Sequence, residues 1–350
     1  MVIFNIFKKK LEMRNLTLKD IAIALNLSIT TVSKALKDYP DVSPKTKAKV
    51  KAYTKKVNFT PNTYAAYLRT QESKIIGVVI PRLNHYFFSN VLKGIMKAAE
   101  EEGYMVIVLS SEESYEFEKK QIDRLLKQNV DGILLSIADS THDTSHIDNI
   151  LAQEIPLVLF DKYSKLSQCS SVIINDQNAA FTAVEHLIKS GKKNIAHLRG
   201  PLLPQNSIDR FLGYRKALEK YELPYKKEWV FTCQDISSDD GYAYAKYILE
   251  KYPEIDAIFA VADMPAIGAI KYFNEQNITI PEQIAVMGFS NWKISGLITP
   301  ALSTVNQPGE TMGRKAFELF YKELQLLKKG KKVDHQIVEI DTTLVVRDST

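Results

Sequence analysis

The stretch TLKDIAIALNLSITTVSKAL, residues 17–36, decides the fold of the amino-terminal region. Thr17 and Asp20 stand three residues apart, as in a capping box, where hydroxyl and carboxylate each accept a backbone N–H at the start of a helix. Apolar residues then recur at helical spacing, and Asn26 tolerates the left-handed conformation that turns a chain. A second short helix is predicted from Ile29 to Leu36, with Ser28 as its N-cap. The pattern is that of a helix-turn-helix.

The second helix is predicted to present a polar face. Val32 and Leu36 would point inward, and the outer face would carry residues small and polar enough to enter a DNA major groove: Ile29, Thr30, Ser33 and Lys34. Ser43 and Pro44 predict the start of a third helix at about 44–57, since proline is favoured at the first helical position. Lysines surround this third helix.

The charge of the chain is distributed unevenly. Residues 1–74 carry fifteen Lys or Arg and five Asp or Glu, a balance of +10, within a total of +5. A basic head on a mildly acidic body favours a polyanionic partner, nucleic acid first and a membrane surface second. A solvated lysine-rich surface is the alternative, and the three-helix pattern favours DNA.

The composition excludes several classes of protein. With 350 residues, 45% hydrophobic and 25% charged, the chain is expected to form two or three globular domains. Two cysteines, Cys169 and Cys233, cannot form a disulfide framework, and no apolar run approaches the roughly 18 residues of a membrane helix. The apolar start, Met1 to Phe7, precedes its lysines, the wrong order for a secretory signal. We therefore expect a cytoplasmic protein without a membrane partner.

From Ile75 onward, short apolar strands alternate with amphipathic helices, which predicts parallel βαβ units. The series recurs after Asn175, and DGILLS (131–136) and DAIFAV (256–261) occupy similar places in the two series. Two similarly built lobes are expected, followed by a helix at about 309–328 and one final strand within VEIDTTLVVRDS.

These stretches resemble the lactose/galactose repressor (LacI/GalR) family of bacterial transcription regulators. The resemblance runs from about residue 17 to the end, and its blocks include DVSPKTKAKVKAYTKKVNFTPN (41–62), YLRTQESKIIGVVIP (67–81), AVEHLIKSGKKNIAHLRGP (183–201), RFLGYRKAL (210–218) and PEQIAVMGFSN (281–291). It implies an all-α helix-turn-helix head with a hinge helix, followed by a two-lobed α/β sensor domain like that of periplasmic sugar-binding proteins.

The resemblance also implies domain boundaries. Residues 1–12 form an extension outside the fold, with Met13 as a plausible start, residues 13–61 the DNA-binding head, and residues 62–74 the hinge helix and linker. The effector-binding domain covers 75–350, with lobe 1 at about 75–174 and 308–332 and lobe 2 at about 175–305 and 333–350. The crossovers between lobes are expected near 174–176, 304–308 and 332–335.

The resemblance places a set of DNA contacts in the head and hinge. In the hinge helix, Leu68 would wedge into the central minor groove and kink the DNA, or alternatively pack on the core of the head. The full set is Thr17, Ser28, Ile29, Thr30, Thr31, Ser33, Lys34, Lys45, Lys47, Asn62, Ala65, Leu68 and Arg69.

An effector site is implied between the lobes, at the carboxyl ends of the strands. Family positions carried over to this chain are Phe87, Phe88, Asp161, Arg210, Ile236, Asp263, Ser290 and Gln307. Three positions depart from the family: Ala262 replaces a frequent Asn, Ser290 an acidic residue, and Ile236 a stacking aromatic. Alternatively, Asp161 and Asp263 cap backbone N–H groups at strand ends, and Arg210 forms a salt bridge across the cleft.

The sequence does not favour an enzyme. Nucleotide-binding, phosphate-loop, serine-hydrolase and zinc-protease motifs are all missing, and no cofactor or metal is expected. His142 and His146 are four residues apart but lie in ADSTHDTSHID, interpreted as a solvated loop. The carboxylate run at 100–102 is interpreted as a helix face that turns into a loop.

The function implied is a repressor that binds a pseudo-palindromic double-stranded DNA operator as a homodimer and is controlled by a small-molecule effector, a sugar or sugar derivative. A dimer is expected as the largest assembly, because the chain stops at Thr350 without the heptads that make some relatives tetrameric. The alternative is a stand-alone sugar-binding protein without a DNA role.

Overall fold

The computed structural model describes residues 16–59 and 72–350, and the chain divides into two compact units between Ser73 and Lys74. The first unit, the head, contains three helices: α1 (Leu18–Leu25), α2 (Ile29–Leu36) and α3 (Pro44–Lys56). The expected extension at 1–12 and hinge helix at 62–69 lie outside the described residues.

The helix boundaries of the head follow from its capping residues, as predicted. Thr17 Oγ1 accepts the N–H of Asp20, whose carboxylate accepts the N–H of Thr17 at 2.8 Å. Asn26 has φ of 54° and ends α1, and the Ser28 and Ser43 hydroxyls cap α2 and α3. The buried side chains that join the three helices are Ile21, Ala22, Leu25, Val32, Ala35, Val42 and Val50.

The second unit is built from two six-stranded sheets flanked by helices. Its first half contains β1 (Ile75–Ile80), α4 (Tyr86–Glu101), β2 (Met105–Ser110), α5 (Tyr115–Lys127), β3 (Gly132–Leu135), α6 (Ser145–Ala152), β4 (Leu157–Phe160) and β5 (Ser170–Ile174). Its second half contains α7 (Asp176–Lys189), β6 (Ile195–Arg199), α8 (Gln205–Lys220), β7 (Val230–Thr232), α9 (Ser238–Lys251), β8 (Ala257–Ala260), α10 (Asp263–Glu275), β9 (Ala285–Ser290) and β10 (Ser303–Asn306). The chain then adds α11 (Gly309–Lys328), β11 (Ile337–Ile340) and β12 (Thr343–Val345).

The two sheets have the same topology. Lobe 1 has the strand order β11-β5-β4-β3-β1-β2, and lobe 2 has β12-β10-β9-β8-β6-β7. The strands pair in parallel, except that β12 runs antiparallel to β10. The predicted equivalence of DGILLS and DAIFAV is confirmed, because β3 and β8 take the same place in their sheets. The helix predicted at about 309–328 is confirmed by α11.

The chain crosses between the lobes three times, and the third crossover differs from the expected position. The first two fall after β5 and β10, as expected. Residues 333–340 were assigned to lobe 2, but β11 pairs with β5 in lobe 1, so the third crossover lies at 341–342. The single final strand is thus two strands in different sheets. Both halves, VEI and TLVV, are mainly apolar, so composition does not indicate which sheet each joins. Pairing with β5 or β10 decides it.

Helix α11 belongs to lobe 1 and packs against α4. The approach is close because an added Cβ on Gly94 would lie 2.0 Å from the carbonyl oxygen of Glu310, and one on Gly313 would lie 1.9 Å from that of Val91. Neither position leaves room for a larger residue. This packing fixes the face of lobe 1 that carries the start of α4 and the loop before it, both of which line the cleft described below.

Candidate functional site

The exposed start of α2 carries the predicted base-reading residues of the head. Ile29, an aliphatic residue, is 47% exposed, and Thr30 beside it is also exposed. Ser28 caps the helix, and its hydroxyl lies 2.7 Å from that of Thr31. Of the other predicted contacts in the described head, Thr17 and Lys45 are exposed and Thr31, Ser33, Lys34 and Lys47 are half-buried. The predicted contacts Asn62, Ala65, Leu68 and Arg69 lie outside the described residues.

Two acidic residues hold lysines of the head in place. Lys34, on α2, forms an ion pair with Asp41 at the surface. Lys51 lies 2.6 Å from the carboxylate of Asp38, and Lys47 donates to the Asp38 carbonyl at 3.0 Å. Sequence reasoning missed Asp38 and Asp41, although they are two of the few acidic residues in a basic head. Lys34 must leave Asp41 before it can contact a base.

In the second unit, a cleft of about 260 Å³ lies where the strands of the two sheets end. Residues from both lobes line it: Arg82, Asn84, His85, Phe87, Phe88, Glu113, Asp139, Asp161 and Lys162 from lobe 1, and Asn206, Arg210, Asp235, Ile236, Ser237, Val261, Ala262, Met264, Ser290 and Trp292 from lobe 2, with Gln307 at a crossover. Seven of the eight predicted effector residues therefore lie together: Phe87, Phe88, Asp161, Arg210, Ile236, Ser290 and Gln307.

Arg210 lies in the cleft wall with 6% of its surface exposed. Its Nε donates to Asp176 Oδ1 at 2.7 Å, its Nη1 donates to the Val261 carbonyl at 2.8 Å, and its guanidinium stacks 3.8 Å from the ring centroid of Phe289. Asp176 is in lobe 2 with Arg210, so this ion pair does not span the cleft. Burial raises the pKa of Asp176 to about 6, against the opposing charge of Arg210. The guanidinium is therefore fixed in orientation, and Nη2 is the nitrogen that neither bond occupies.

Asp161 follows β4 and has a left-handed backbone, with φ of 59°. Its side chain lines the cleft and is almost fully buried. Burial raises the pKa of this carboxyl to about 7, although Arg210 nearby opposes the shift. A carboxyl poised in this way can accept a hydrogen bond from a ligand hydroxyl when ionised and donate one when protonated.

Asp263, the eighth predicted effector residue, does not line the cleft. Its side chain is fully buried at the start of α10. Its oxygens accept the N–H of Trp292 at 2.6 Å and the hydroxyls of Ser295 and Thr304 at 2.7 and 2.6 Å. The carboxylate thus holds the loop after β9, in the manner of the backbone-capping alternative. A strand-end position alone could not reveal this, because all three donors come from elements at least 29 residues away along the chain.

A charged cluster that sequence reasoning missed forms part of the lobe 1 wall. Lys162 donates to both carboxylate oxygens of Glu113, at 2.8 and 2.9 Å, and to Asp139. Glu113 also accepts the N–H of Asp139 at 2.8 Å. Glu113, Asp139 and Lys162 follow β2, β3 and β4. Their position at the carboxyl ends of parallel strands is the sequence feature that could have predicted that they lie together.

Direct contacts join the two lobes across the cleft. Arg82, after β1, lies 3.8 Å from Asp235 of lobe 2 and 3.9 Å from Glu113 of lobe 1. The His85 and Trp292 rings meet edge to face, with centroids 4.5 Å apart. On the lobe 2 side, Ser290 donates to Gln307 Oε1 at 2.5 Å, which ties the end of β9 to the crossover after β10. The wall of the cleft is therefore continuous between the lobes.

Three buried polar atoms in this wall have no hydrogen-bond partner among residues 16–59 and 72–350: His85 Nδ1, Trp292 Nε1 and Gln307 Nε2. An unpaired buried donor or acceptor costs about 1–3 kcal/mol, so such groups usually await a partner. Burial lowers the pKa of His85 to about 3, with Lys162 and Arg82 adding to the shift, so this ring is neutral at physiological pH. The unpaired N–H groups of Trp292 and Gln307 lie beside the cleft, beneath its accessible surface.

Left-handed backbone occurs at fourteen non-glycine positions of the described residues, and four of them, Glu113 among them, line the cleft. Ile236, Ser290 and Asn291 have φ of 52°, 104° and 51°, as Asp161 has 59°. Such conformations cost about 1–3 kcal/mol each for side chains larger than glycine and cluster at binding sites. Ile236, Ser290 and Asp161 line the cleft together with Glu113.

The interpretation of His146 as part of a solvated loop is wrong. His146 lies on α6, is 6% exposed, and its Nε2 is 2.7 Å from Oε1 of the fully buried Glu118. His142 is exposed, as expected. Glu118 comes from α5, 28 residues earlier, so local sequence could not indicate the burial of His146.

Within residues 16–59 and 72–350, no group of three or more His, Cys, Asp or Glu side chains is arranged to hold a metal ion. None of the helices in these ranges combines the length and apolarity needed to cross a membrane.

Comparison with known proteins agrees with this architecture. Residues 17–62 match the family described as bacterial regulatory proteins, lacI family, and residues 73–343 match periplasmic binding proteins and sugar binding domain of LacI family. Catabolite control protein A of Priestia megaterium is 30% identical over 96% of this chain and 99% of its own. The transcriptional repressor PurR of Histophilus somni is 28% identical over 95% and 98%. The crystal structure of the lac repressor dimer bound to operator and the anti-inducer ONPF superposes with a TM-score of 0.83, at 25% identity over 96% and 99%.

The helix-turn-helix head and the two-sheet domain thus define a DNA-binding transcriptional repressor that carries a sugar-binding domain. The relatives are transcriptional regulators rather than enzymes. The chain belongs to the LacI family of bacterial regulatory proteins.

Proposed function

We propose that this repressor binds a pseudo-palindromic operator as a homodimer in the cytoplasm, and that a sugar or sugar derivative bound in the cleft controls its affinity for the operator. The observation that carries the proposal is the cleft itself. It gathers seven predicted effector residues from two lobes, and three buried polar atoms in its wall have no partner in the described part of the chain.

The head supports sequence-specific binding to DNA. Its second helix begins with exposed Ile29 and Thr30, and the adjoining helix α3 is rich in lysine. Ile29 cannot donate or accept a hydrogen bond through its side chain, so we expect it to contact a thymine methyl group. One recognition helix covers only a few base pairs, which favours a two-fold dimer that reads two half-sites. The operator-bound lac repressor is itself a dimer.

The cleft supports control by a small polar ligand. It has fixed aromatic walls in Phe87 and Phe88, a fixed guanidinium in Arg210, and a carboxyl in Asp161. A ligand there contacts both lobes, so it binds one lobe arrangement better than another, and only such a difference can change DNA affinity.

A gel shift with the DNA upstream of the chain's own gene tests the proposal. We expect binding at physiological salt that survives competition by unrelated DNA, and a changed affinity when the cleft ligand is added. Ile29→Ala should weaken binding to this DNA while leaving the affinity for unrelated DNA unchanged. A chain that binds ligand and ignores DNA would instead be a stand-alone binding protein.

A further inference from the structure

The cationic side chains of the cleft are matched by carboxylates. Among the described residues that line it, three side chains are cationic, Arg82, Lys162 and Arg210, and four are carboxylic: Glu113, Asp139, Asp161 and Asp235. The carboxylic side chains outnumber the cationic ones by one. Asp176, which pairs with Arg210 but does not line the cleft, adds another carboxylate.

Lys162 is the most completely neutralised of the three. Its side chain is 10% exposed and contacts two carboxylates, each 15% exposed. Burial opposes its charge, yet Asp139 and Glu113 outweigh burial and raise the pKa of Lys162. Burial raises the pKa of Glu113. The negative charge of Asp139 raises it further, and the positive charge of Lys162 opposes both effects. Whether Glu113 is protonated or ionised, the cluster is neutral or singly negative and offers no net positive charge.

The two arginines are also flanked by acids. Arg210 forms a buried ion pair with Asp176 at 2.7 Å. Arg82, the more exposed of the two, lies between Glu113 and Asp235 at 3.9 and 3.8 Å. An anion in the cleft would therefore lose its hydration, compete with these carboxylates for each cation, and approach Asp161.

We propose that the cleft takes an uncharged polyhydroxylated ligand, and that Glu113 and Asp139 exclude phosphorylated and other anionic ligands by neutralising Lys162. This inference rests on the proposed function, because it concerns the effector site of the same cleft. Ligand hydroxyls match the wall, since Asp161 can accept from them when ionised and donate to them when protonated, and the unpaired N–H groups of Trp292 and Gln307 lie beside the cleft.

Titration of the DNA-free protein with inorganic phosphate and with ribose 5-phosphate, at constant ionic strength in a calorimeter, tests the exclusion. The wild-type chain should bind both with dissociation constants above about 1 mM. Glu113→Gln/Asp139→Asn should bind both at least tenfold more tightly, because Lys162 then faces the cleft with an unopposed charge. The amide that replaces the Glu113 carboxylate retains an oxygen that can accept the backbone N–H at position 139, so the loop geometry is kept.

Two further variants locate the effect. Adding Lys162→Met to the double variant should abolish the gain. The matched control is Glu185→Gln. It removes a carboxylate that Lys189 and Lys220 share on the surface of lobe 2, and it should not increase the affinity for phosphate or ribose 5-phosphate. If the double variant does not fold, Asp139→Asn alone should show a smaller gain in the same direction.

A dissociation constant for phosphate below about 1 mM in the wild-type chain would overturn the proposal. An unchanged affinity in the double variant, or a gain that persists without Lys162, would also overturn it. In parallel, neutral pentoses and hexoses should raise the wild-type melting temperature where their phosphate esters do not. A phosphorylated effector that changes operator binding would contradict this inference and leave the proposed function standing. A cleft ligand of either charge that leaves operator binding unchanged would contradict the proposed function alone.

Discussion

Asp263 illustrates how one residue's role depends on its partners. Its fully buried carboxylate accepts hydrogen bonds from Trp292, Ser295 and Thr304. Asp263→Ala should lower the free energy of unfolding by about 3 kcal/mol, because those buried donors lose their acceptor. Urea denaturation followed by tryptophan fluorescence measures this, since both tryptophans, Trp229 and Trp292, lie in the second unit.

The control for this change is Asp239→Ala, at an exposed aspartate in the first turn of α9, which should alter stability little. If the Asp263→Ala protein is as stable as wild type and no longer binds ligand, Asp263 contacts the effector instead of holding the loop.

Asp161 should make stability depend on pH. Its pKa is about 7 in the folded protein, well above the ordinary value of 3.8, because the carboxyl is buried. The folded state therefore binds more protons than the unfolded state between about pH 4 and 7, and the free energy of unfolding falls as pH rises through that window. Asp161→Asn removes this dependence, so it should raise stability more at pH 8 than at pH 5. Urea denaturation at the two pH values measures the difference.

The raised pKa values of Asp176 and Asp263 are common to wild type and variant, so they largely cancel in this comparison. A difference in stability that is equal at pH 5 and pH 8 would show that Asp161 is ionised in the folded protein throughout this range.

Lys34 should contribute to base recognition. Lys34→Ala is expected to relax specificity at one position of each half-site and to cost about 1–3 kcal/mol per monomer. Binding to a set of single-base operator variants at several salt concentrations measures both effects. Lys45→Ala is the comparison, since Lys45 is exposed on α3 and should contact phosphate, reducing the salt slope without changing specificity.

The ion pair with Asp41 adds a further test of Lys34. Asp41→Asn frees the amine and should not weaken operator binding. A uniform loss of affinity across all operator variants in Lys34→Ala would make this lysine a phosphate contact instead.

At the scale of an element, α5 fixes the loop that follows β3. Glu118 on α5 accepts the N–H of Ala138 at 2.5 Å and the Thr141 hydroxyl at 3.0 Å, and it pairs with His146 on α6. Glu118→Ala leaves buried polar groups without a partner and should lower the free energy of unfolding by about 1–3 kcal/mol for each group left unpaired.

Glu116→Ala, on the exposed face of the same helix, is the matched control and should have little effect on stability. Because the loop also presents Asp139 to Lys162, Glu118→Ala should weaken ligand binding where the protein remains folded. Equal denaturation midpoints for the two variants would show that Glu118 does not anchor the loop.

At the scale of the whole molecule, the cleft and the head should be coupled. Arg210→Ala should leave operator binding intact and abolish the influence of the effector on it, because Arg210 is predicted to contact the effector. Leu68→Ala should weaken operator binding strongly and leave effector affinity of the DNA-free protein unchanged, because Leu68 is predicted to act only at the DNA. Gel shifts with and without effector, together with calorimetry on DNA-free protein, measure both.

An Arg210→Ala protein that still responds normally to effector would show that the arginine only holds Asp176 and the Val261 carbonyl. For assembly, a dimer is expected, and sedimentation that shows a tetramer at micromolar concentration would contradict it.

The sequence by itself determined the local elements and their order. Capping residues such as Thr17 and Ser43 act within one turn, and the alternation of strand and helix follows from apolar periodicity, so both are properties of neighbouring residues. The resemblance to a known family then implied eight effector residues by matching positions, and seven of them line the cleft.

Only the tertiary structure decided which polar groups meet. It paired β11 with lobe 1, directed Asp263 away from the cleft, buried His146 against Glu118, and neutralised Lys162 with Glu113 and Asp139. In each case the partner lies at least 23 residues away along the chain. Whether a carboxylate caps a loop, balances a lysine or faces a ligand depends on these distant neighbours, and no local pattern encodes them.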